Sequence, residues 1–122
     1  MMRSYAYSYD GAGRLMSGQY REYMNGNVIS GTAGRFDENV MSYDLNGNPE
    51  VIRRKGMTAT GAYAYTDVLN ITMDGNRITR VQDMSATGLA AGGNDFVDGV
   101  NVGTEYTYNS NGCMISDLNR GI

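Results

Sequence analysis

Polar and apolar residues alternate along most of the chain, and the alternation is cut at intervals by glycine-bearing turns. Ser4-Tyr5-Ala6-Tyr7-Ser8-Tyr9 predicts a strand with Tyr5, Tyr7 and Tyr9 on one face. Asp10-Gly11-Ala12-Gly13 turns the chain into a second strand over 14–23, with Met16, Gly18 and Tyr20 sharing a face. Met24-Asn25-Gly26-Asn27 reads as another turn before Val28-Ile29, and 31–34 as a loop. Phe36 opens a strand running to Tyr43, Asn46-Gly47-Asn48 reverses it, and 50–57 forms its partner. Pro49 stands at the start of that partner, where a missing N–H matters least. The pattern leaves 58–66 open between a crossing strand and a loop. It resumes as a strand over 67–73, a tighter turn at Asp74-Gly75-Asn76, and a return over 77–83. Residues 84–94 read as a long loop. Phe96, Val97, Val100 and Val102 resume around an Asp98-Gly99 turn, and strands over 105–108 and 114–118 flank a turn at 109–112. Residues 119–122 carry no signal for a closing element, and no segment keeps a helical period.

Four of these turns align, placing Tyr9, Tyr43, Met73 and Tyr108 at equivalent positions. The next residue is Asp10, Asp44, Asp74 or Asn109, whose side chain can bond the backbone two residues on. The glycine that follows supplies positive φ. Each copy is a hairpin, and a hairpin is not stable alone, so neighbours must stack edge to edge. The expectation is one all-β domain over 1–122 with turns near 10–14, 44–48, 74–77 and 109–113. Its hairpins are antiparallel and build a twisted, curved, open sheet.

Composition sharpens this. Ten Tyr, two Phe, no Trp, 17 Gly and one Pro suit half-wet sheet with many turns. A net charge of -3 argues against nucleic acid as a partner. The basic run Arg53-Arg54-Lys55 reads as a solvated or edge-protecting strand end. No apolar run approaches a membrane span, and Met1-Met2-Arg3-Ser4-Tyr5 leads into no apolar signal region. Cys113 is alone, so no internal disulfide forms. The absence of His removes Ser-His-Asp and Cys-His catalysis and the commonest zinc sites.

Candidate chemistry is correspondingly thin. Asp44-Leu45-Asn46-Gly47-Asn48 suggests a calcium loop, but a Gly stands at position four and Lys55 at position twelve, where an EF-hand needs Gly at six and Glu at twelve. Asp37/Glu38 and Asp95/Asp98 offer carboxylate pairs, with solvated loop acids the simpler reading. Gly88, Gly92 and Gly93 lack the Gly-Lys-Ser/Thr of a phosphate loop, and the sequon at Asn70 falls inside a strand. No catalytic, metal or cofactor-binding residue is expected. The one binding candidate is a tyrosine face of Tyr5, Tyr7, Tyr9, Tyr106 and Tyr108 stacking on sugar rings, set against tyrosines that merely pack across strands.

The segments Tyr7-Ser8-Tyr9-Asp10-Gly11-Ala12-Gly13-Arg14-Leu15, Tyr43-Asp44-Leu45-Asn46-Gly47-Asn48 and Tyr106-Thr107-Tyr108-Asn109-Ser110-Asn111-Gly112 resemble the YD repeat of Rhs-type proteins. Tyr20-Arg21-Glu22-Tyr23, Arg35-Phe36-Asp37-Glu38 and residues 116–122 are similar to versions in Bacteroidetes surface proteins. The resemblance implies a β-strip that spirals into a hollow shell around a toxin or effector, at the cell surface or secreted. Complete Rhs arrays are far longer, and their autoproteolytic segment has no counterpart here, Pro49 being the only proline. The function expected is therefore a non-enzymatic structural repeat module. The alternative is a carbohydrate- or partner-binding module using the tyrosines. Expected partners are the rest of such an array, or a second copy paired through exposed edge strands as a homodimer.

Overall fold

The structure, a computed structural model, describes residues 1–85 and 96–122. Residues 86–95, with most of the expected long loop, its three glycines and Asp95, lie outside the described residues. The fold is all-β, antiparallel and open. Its strands are β1 (Met2–Tyr9), β2 (Leu15–Met24), β3 (Asn27–Val28), β4 (Glu38–Tyr43), β5 (Pro49–Met57), β6 (Tyr63–Asp74), β7 (Arg77–Asp83), β8 (Tyr106–Tyr108) and β9 (Met114–Asp117). The main sheet runs β1-β2-β4-β5-β6-β7, with β3 paired to β2, and β8-β9 form a second, two-stranded sheet. The second sheet sits beside β7: the Glu105 N–H donates to the Thr79 carbonyl at 2.7 Å, and the Tyr108 hydroxyl to the Ile78 carbonyl at 2.7 Å.

The turns form where the sequence puts them. Asn25 (φ 52°) and Gly26 (φ 79°) both sit in the left-handed region, the geometry of a two-residue hairpin turn. Residues 58–66, undecided from the pattern, make another hairpin. The Thr58 N–H donates to the Ala62 carbonyl at 2.7 Å, the Gly61 N–H to the Thr58 carbonyl at 2.9 Å, and Gly61 has φ 82°. The chain then runs straight into β6, four residues earlier than the alternation suggests.

Three expectations need correction. Phe36 does not open a strand; β4 begins at Glu38. Gly31 (φ 74°) and Gly34 (φ 79°) keep the backbone turning, and the Thr32 hydroxyl donates to the Ile29 carbonyl at 2.6 Å. The basic run is not a solvated strand end. β5 lies between β4 and β6, and Arg53, Arg54 and Lys55 are half-buried, stacked on Tyr65 or paired with Asp67. The last residues are not unstructured. Leu118–Arg120 form a 3-10 turn that Asp117 caps by accepting the Arg120 N–H, while Asp117 and Ile122 exchange backbone bonds of 2.7 and 3.0 Å.

The core is small. Leu69, Val81 and Tyr106 are buried together, with Ile52, Ile71, Ile78, Phe96 and Tyr108 packed around them. Fully burying a side chain such as Leu69 or Val81 contributes roughly 1.5–3 kcal/mol, and the partly buried ones around them contribute less. Val97 and Val102 stay exposed, and no strand forms around them. Much of the order at this end comes instead from acids that stand in for strand carbonyls. Asp83 accepts the Val68 N–H at 3.0 Å, Asp98 the Asp83 N–H at 2.9 Å, and Glu105 the Val81 N–H at 3.0 Å.

Candidate functional site: turns, junctions and the tyrosine row

The three longer turns share one geometry. Asp10 Oδ1 accepts the N–H of Ala12 and of Arg14, both at 2.9 Å. Asp44 Oδ1 accepts those of Asn46 (2.9 Å) and Asn48 (2.8 Å). Asn109 Oδ1 accepts those of Asn111 and Cys113, both at 3.0 Å. Gly13, Gly47 and Gly112 close them with φ near +80°. These bonds hold the Asp10 and Asp44 carboxyls below the usual carboxylate range, the N–H of Arg14 and of Asn48 being the largest cause. Oδ1 of each aspartate is thus occupied by backbone, while Oδ2 accepts from a side chain, Arg14 Nε–H on Asp10 at 2.7 Å and the Asn48 amide on Asp44 at 3.0 Å. Among the described residues, no group of three acids, Cys or His converges on a metal position.

The turns also fix how one hairpin meets the next. The offset is the same each time, with Tyr9 opposite Leu15, Tyr43 opposite Pro49 and Tyr108 opposite Met114. The Arg14 guanidinium lies 4.5 Å from the centre of the Tyr43 ring, and the Tyr43 hydroxyl donates to the Leu15 carbonyl. Arg77 lies 5.8 Å from the Tyr108 ring, and the Tyr108 hydroxyl donates to the Ile78 carbonyl. An arginine just after one turn therefore covers the tyrosine just before the next, and that tyrosine bonds the carbonyl after the arginine. The middle junction differs. Asn48 stands where the arginine would, Met73 where the tyrosine would, and the Asn48 amide donates to Asn76 Oδ1 at 3.0 Å.

A row of rings crosses the sheet from the β1 edge. Tyr7 stacks on Tyr5 with centroids 6.1 Å apart, Tyr5 meets Tyr20 edge-on at 5.4 Å, Tyr20 meets Phe36 at 5.0 Å, and Phe36 meets Tyr63 at 5.5 Å. Arg35 closes the row over Tyr63 at 4.7 Å. Gly18 makes room: a Cβ there would lie 3.2 Å from the Tyr7 ring, which covers the bare backbone. Tyr20 is buried and its hydroxyl donates to Glu22 at 2.7 Å. Burial, then the Glu22 carboxylate, push its phenol above the ordinary value. Burial, with Glu38 nearby, does the same to Tyr5.

The five tyrosines expected on one face are divided. Tyr5, Tyr7 and Tyr9 lie on β1, at one end of the strand order, and Tyr7 and Tyr9 are 59% and 61% exposed. Tyr106 and Tyr108 lie beyond β7 at the other end. Tyr106 is buried against Leu69 and Val81, and its hydroxyl accepts from Asn119 at 3.1 Å. β8 extends the core past β7, so its inward tyrosine packs rather than faces water. Of the acid pairs, Asp37 accepts the Tyr20 N–H at 2.7 Å and Asp98 that of Asp83, so both serve the backbone.

Sequence reasoning missed Phe36 and Tyr63 in the row, Arg14 and Arg77 at the junctions, and the buried acids Asp67 and Glu105. Only the arginines carried a signal: each follows a turn directly and precedes an aliphatic residue. A hollow of about 100 Å³ lies among Phe96, Val97, Tyr106, Asp117, Asn119 and Arg120, well below the size of small-molecule sites. No helix of the described residues is long and apolar enough to cross a membrane. Comparison of the chain with protein-family models, curated proteins and solved structures returns no match.

Proposed function

We propose that this chain is a non-enzymatic structural repeat module, a stretch of Rhs-type strip serving a shell or surface scaffold. The observation that carries the reading is the junction. Where the repeat places Arg and Tyr, they are spent on joining one hairpin to the next, and the acids most suggestive of a site are bonded to backbone N–H groups. Such side chains hold a scaffold together and leave little for turnover. Two measurements test this together. Tyr43→Leu and Tyr108→Leu should each lower Tm, and the wild-type chain should be inert on a panel of hydrolase substrates. Robust turnover, or junction variants as stable as wild type, would overturn it.

A second reading rests on the exposed, stacked pair Tyr5 and Tyr7. Flat amphipathic rings at the sheet edge suit the face of a sugar. On a glycan array, binding lost in Tyr7→Ala and kept in Tyr108→Ala supports it. No binding, or binding indifferent to Tyr7→Ala, removes it.

A further inference from the structure

Asparagine is followed by glycine at 25–26, 46–47 and 111–112, and every one of these residues is exposed. Such a pair carries its own reaction. The glycine nitrogen can attack the carbon of the asparagine side-chain amide, and glycine adds no side chain to hinder it. Exposure does not separate the three pairs, but the bonds around them do. The Gly47 N–H donates to the Asp44 carbonyl at 3.1 Å, and the Gly112 N–H to the Asn109 carbonyl at 3.0 Å. On the other side of each asparagine, the Asn46 N–H donates to Asp44 Oδ1 at 2.9 Å and the Asn111 N–H to Asn109 Oδ1 at 3.0 Å. At these two pairs the peptide units are fixed on both sides of the asparagine, and the attacking nitrogen is engaged.

The Asn25-Gly26 turn is built differently. It is the two-residue link between β2 and β3, closed by the pairing of Met24 with Asn27, so the ladder leaves the Gly26 N–H unused. Among the described residues, neither that N–H nor the Asn25 side chain has a hydrogen-bond partner. Asn25 is also the one described residue other than glycine with positive φ, at 52°. A side chain is crowded in that region, which favours leaving the turn. The strand beyond it is short. β3 is Asn27–Val28, both exposed, and it pairs with β2 only through Tyr23 opposite Val28 and Met24 opposite Asn27. Opening the turn so that nitrogen and amide carbon meet disturbs no more than those pairs, and such short ends open at little cost.

From this we infer that Asn25 is a site of spontaneous deamidation, converting to aspartyl and isoaspartyl residues while Asn46 and Asn111 stay intact in the folded chain. In the first step a bond forms between the Gly26 nitrogen and the Asn25 side-chain carbon. The C–N bond of the side-chain amide breaks, and ammonia leaves carrying the proton of the Gly26 N–H. The product is a five-membered succinimide. Water then opens this ring at either carbonyl. Attack at the former side-chain carbon restores the main chain with an aspartyl residue, and attack at the main-chain carbon routes the chain through the side chain as isoaspartyl. The reaction consumes only water. Either product adds a negative charge to a chain that already carries -3. The isoaspartyl product also lengthens the backbone by a carbon, which a two-residue turn cannot absorb, so β3 is released from β2. The Asp-Gly pairs at 10–11, 74–75 and 98–99 start from an ionised carboxylate, a poorer electrophile than an amide, and react more slowly.

The test ages the full chain in mildly alkaline buffer, folded in one arm and unfolded in guanidinium chloride in the other. Peptide mapping follows the three asparagines, with fragmentation that separates isoaspartyl from aspartyl products. Unfolded, the three should react at similar rates. Folded, Asn25 should react about tenfold faster than Asn46 and Asn111, the effect of the turn bonds those two retain. Asp44→Ala removes the acceptor of the Asn46 and Asn48 N–H groups, so it should speed Asn46 several-fold and leave Asn25 unchanged. Asn46 or Asn111 reacting as fast as Asn25 in the folded chain overturns the inference. So does an Asn25 that stays intact when folded yet reacts when unfolded, or an Asn46 no faster in Asp44→Ala. The isoaspartyl fraction should lose hydrogen-exchange protection at Ile29, whose N–H donates to the Glu22 carbonyl at 2.8 Å, and full protection there overturns the release of β3.

Discussion

Glu105 is the strongest test of how the second sheet is held. It is fully buried, yet it is an acid with no opposing charge closer than Arg80 at 3.6 Å. One oxygen, Oε2, accepts the Val81 N–H at 3.0 Å and the Asn119 side-chain amide at 3.0 Å. The other, Oε1, has no hydrogen-bond partner. The carboxylate thus replaces a strand carbonyl for β7 and at the same time anchors the 3-10 turn that carries Asn119. Glu105→Ala removes two charge-assisted bonds, each worth about 1.5–3 kcal/mol, and leaves the Val81 N–H facing a cavity. Relief of the carboxylate's own desolvation offsets part of that. The net loss should be about 3–5 kcal/mol, the range for breaking a buried charged contact.

For a domain of this size the loss corresponds to a fall in Tm of roughly 10–20 °C. Glu105→Gln keeps a carbonyl oxygen for both donors and gives up only the charge, so it should cost about 1–2 kcal/mol. Urea titration gives the two free energies, and hydrogen exchange gives the location. The Val81 amide should lose protection in Glu105→Ala while amides of β1 and β2 keep theirs. Glu105→Ala within about 0.5 kcal/mol of wild type, or Glu105→Gln as damaging as Ala, would refute the account.

Three further outcomes follow from the same geometry. The Asp10 and Asp44 carboxyls are held below 3.8 by backbone N–H groups, so their contribution is present above that value and lost as pH falls through the lowered folded values. The double variant Asp10→Asn/Asp44→Asn, which copies Asn109, should flatten the acid limb of a plot of urea midpoint against pH; an unchanged limb would count against it. Tyr20 is raised above 10.0 by burial and by Glu22, so its contribution is present below pH 10 and lost as pH rises through the folded value. Tyr20→Phe should cost about 1–3 kcal/mol at neutral pH, by leaving buried Glu22 without its donor, and should soften the alkaline limb. At Gly99 a Cβ would collide with the Asn119 carbonyl oxygen, so Gly99→Ala should cost about 1–3 kcal/mol, while Gly103→Ala, with open space around it, should be neutral. Equal midpoints for the two glycine variants would mean the 3-10 turn does not rest on the 99 backbone.

What could be read from the chain and what could not divides by distance along it. The Asp-x-x-Gly turns were legible because donor, acceptor and glycine lie within four residues of one another. The turn at 58–62 uses the same backbone bonds with Thr58 in the Asp place, so its marker residue is missing while Gly61 remains. Phe36 reads as a strand residue because its neighbours alternate, yet Gly31 and Gly34 bend the chain and its ring is wanted between Tyr20 and Tyr63. The cations at 53–55 look solvated until β5 is known to be interior, where Arg54 meets an Asp67 that is 1% exposed. Tyr106 alternates like Tyr5 and Tyr7 but faces Leu69 and Val81. In each case the deciding neighbour is far away in sequence, and alternation alone carries no information about which face becomes core.

The repeat itself becomes more regular when it is read across the junctions. Within a copy, the residue after the turn glycine or its two-residue equivalent is Arg14, Asn48, Arg77 or Cys113, which looks like drift. Across a junction the choice is paired. Arg14 is followed by Tyr43 and Arg77 by Tyr108, each under its guanidinium. Asn48 is followed by Met73, whose thioether offers a guanidinium no comparable face, and the Asn48 amide turns instead to Asn76 and the Gly75 carbonyl. Arginine and tyrosine are thus kept or replaced together, because either alone would lose the stacking without gaining the amide contact. The physical repeat unit is therefore the joint between two hairpins, Arg to the following Tyr, and it is offset by half a unit from the Tyr-Asp motif that makes the repeat visible.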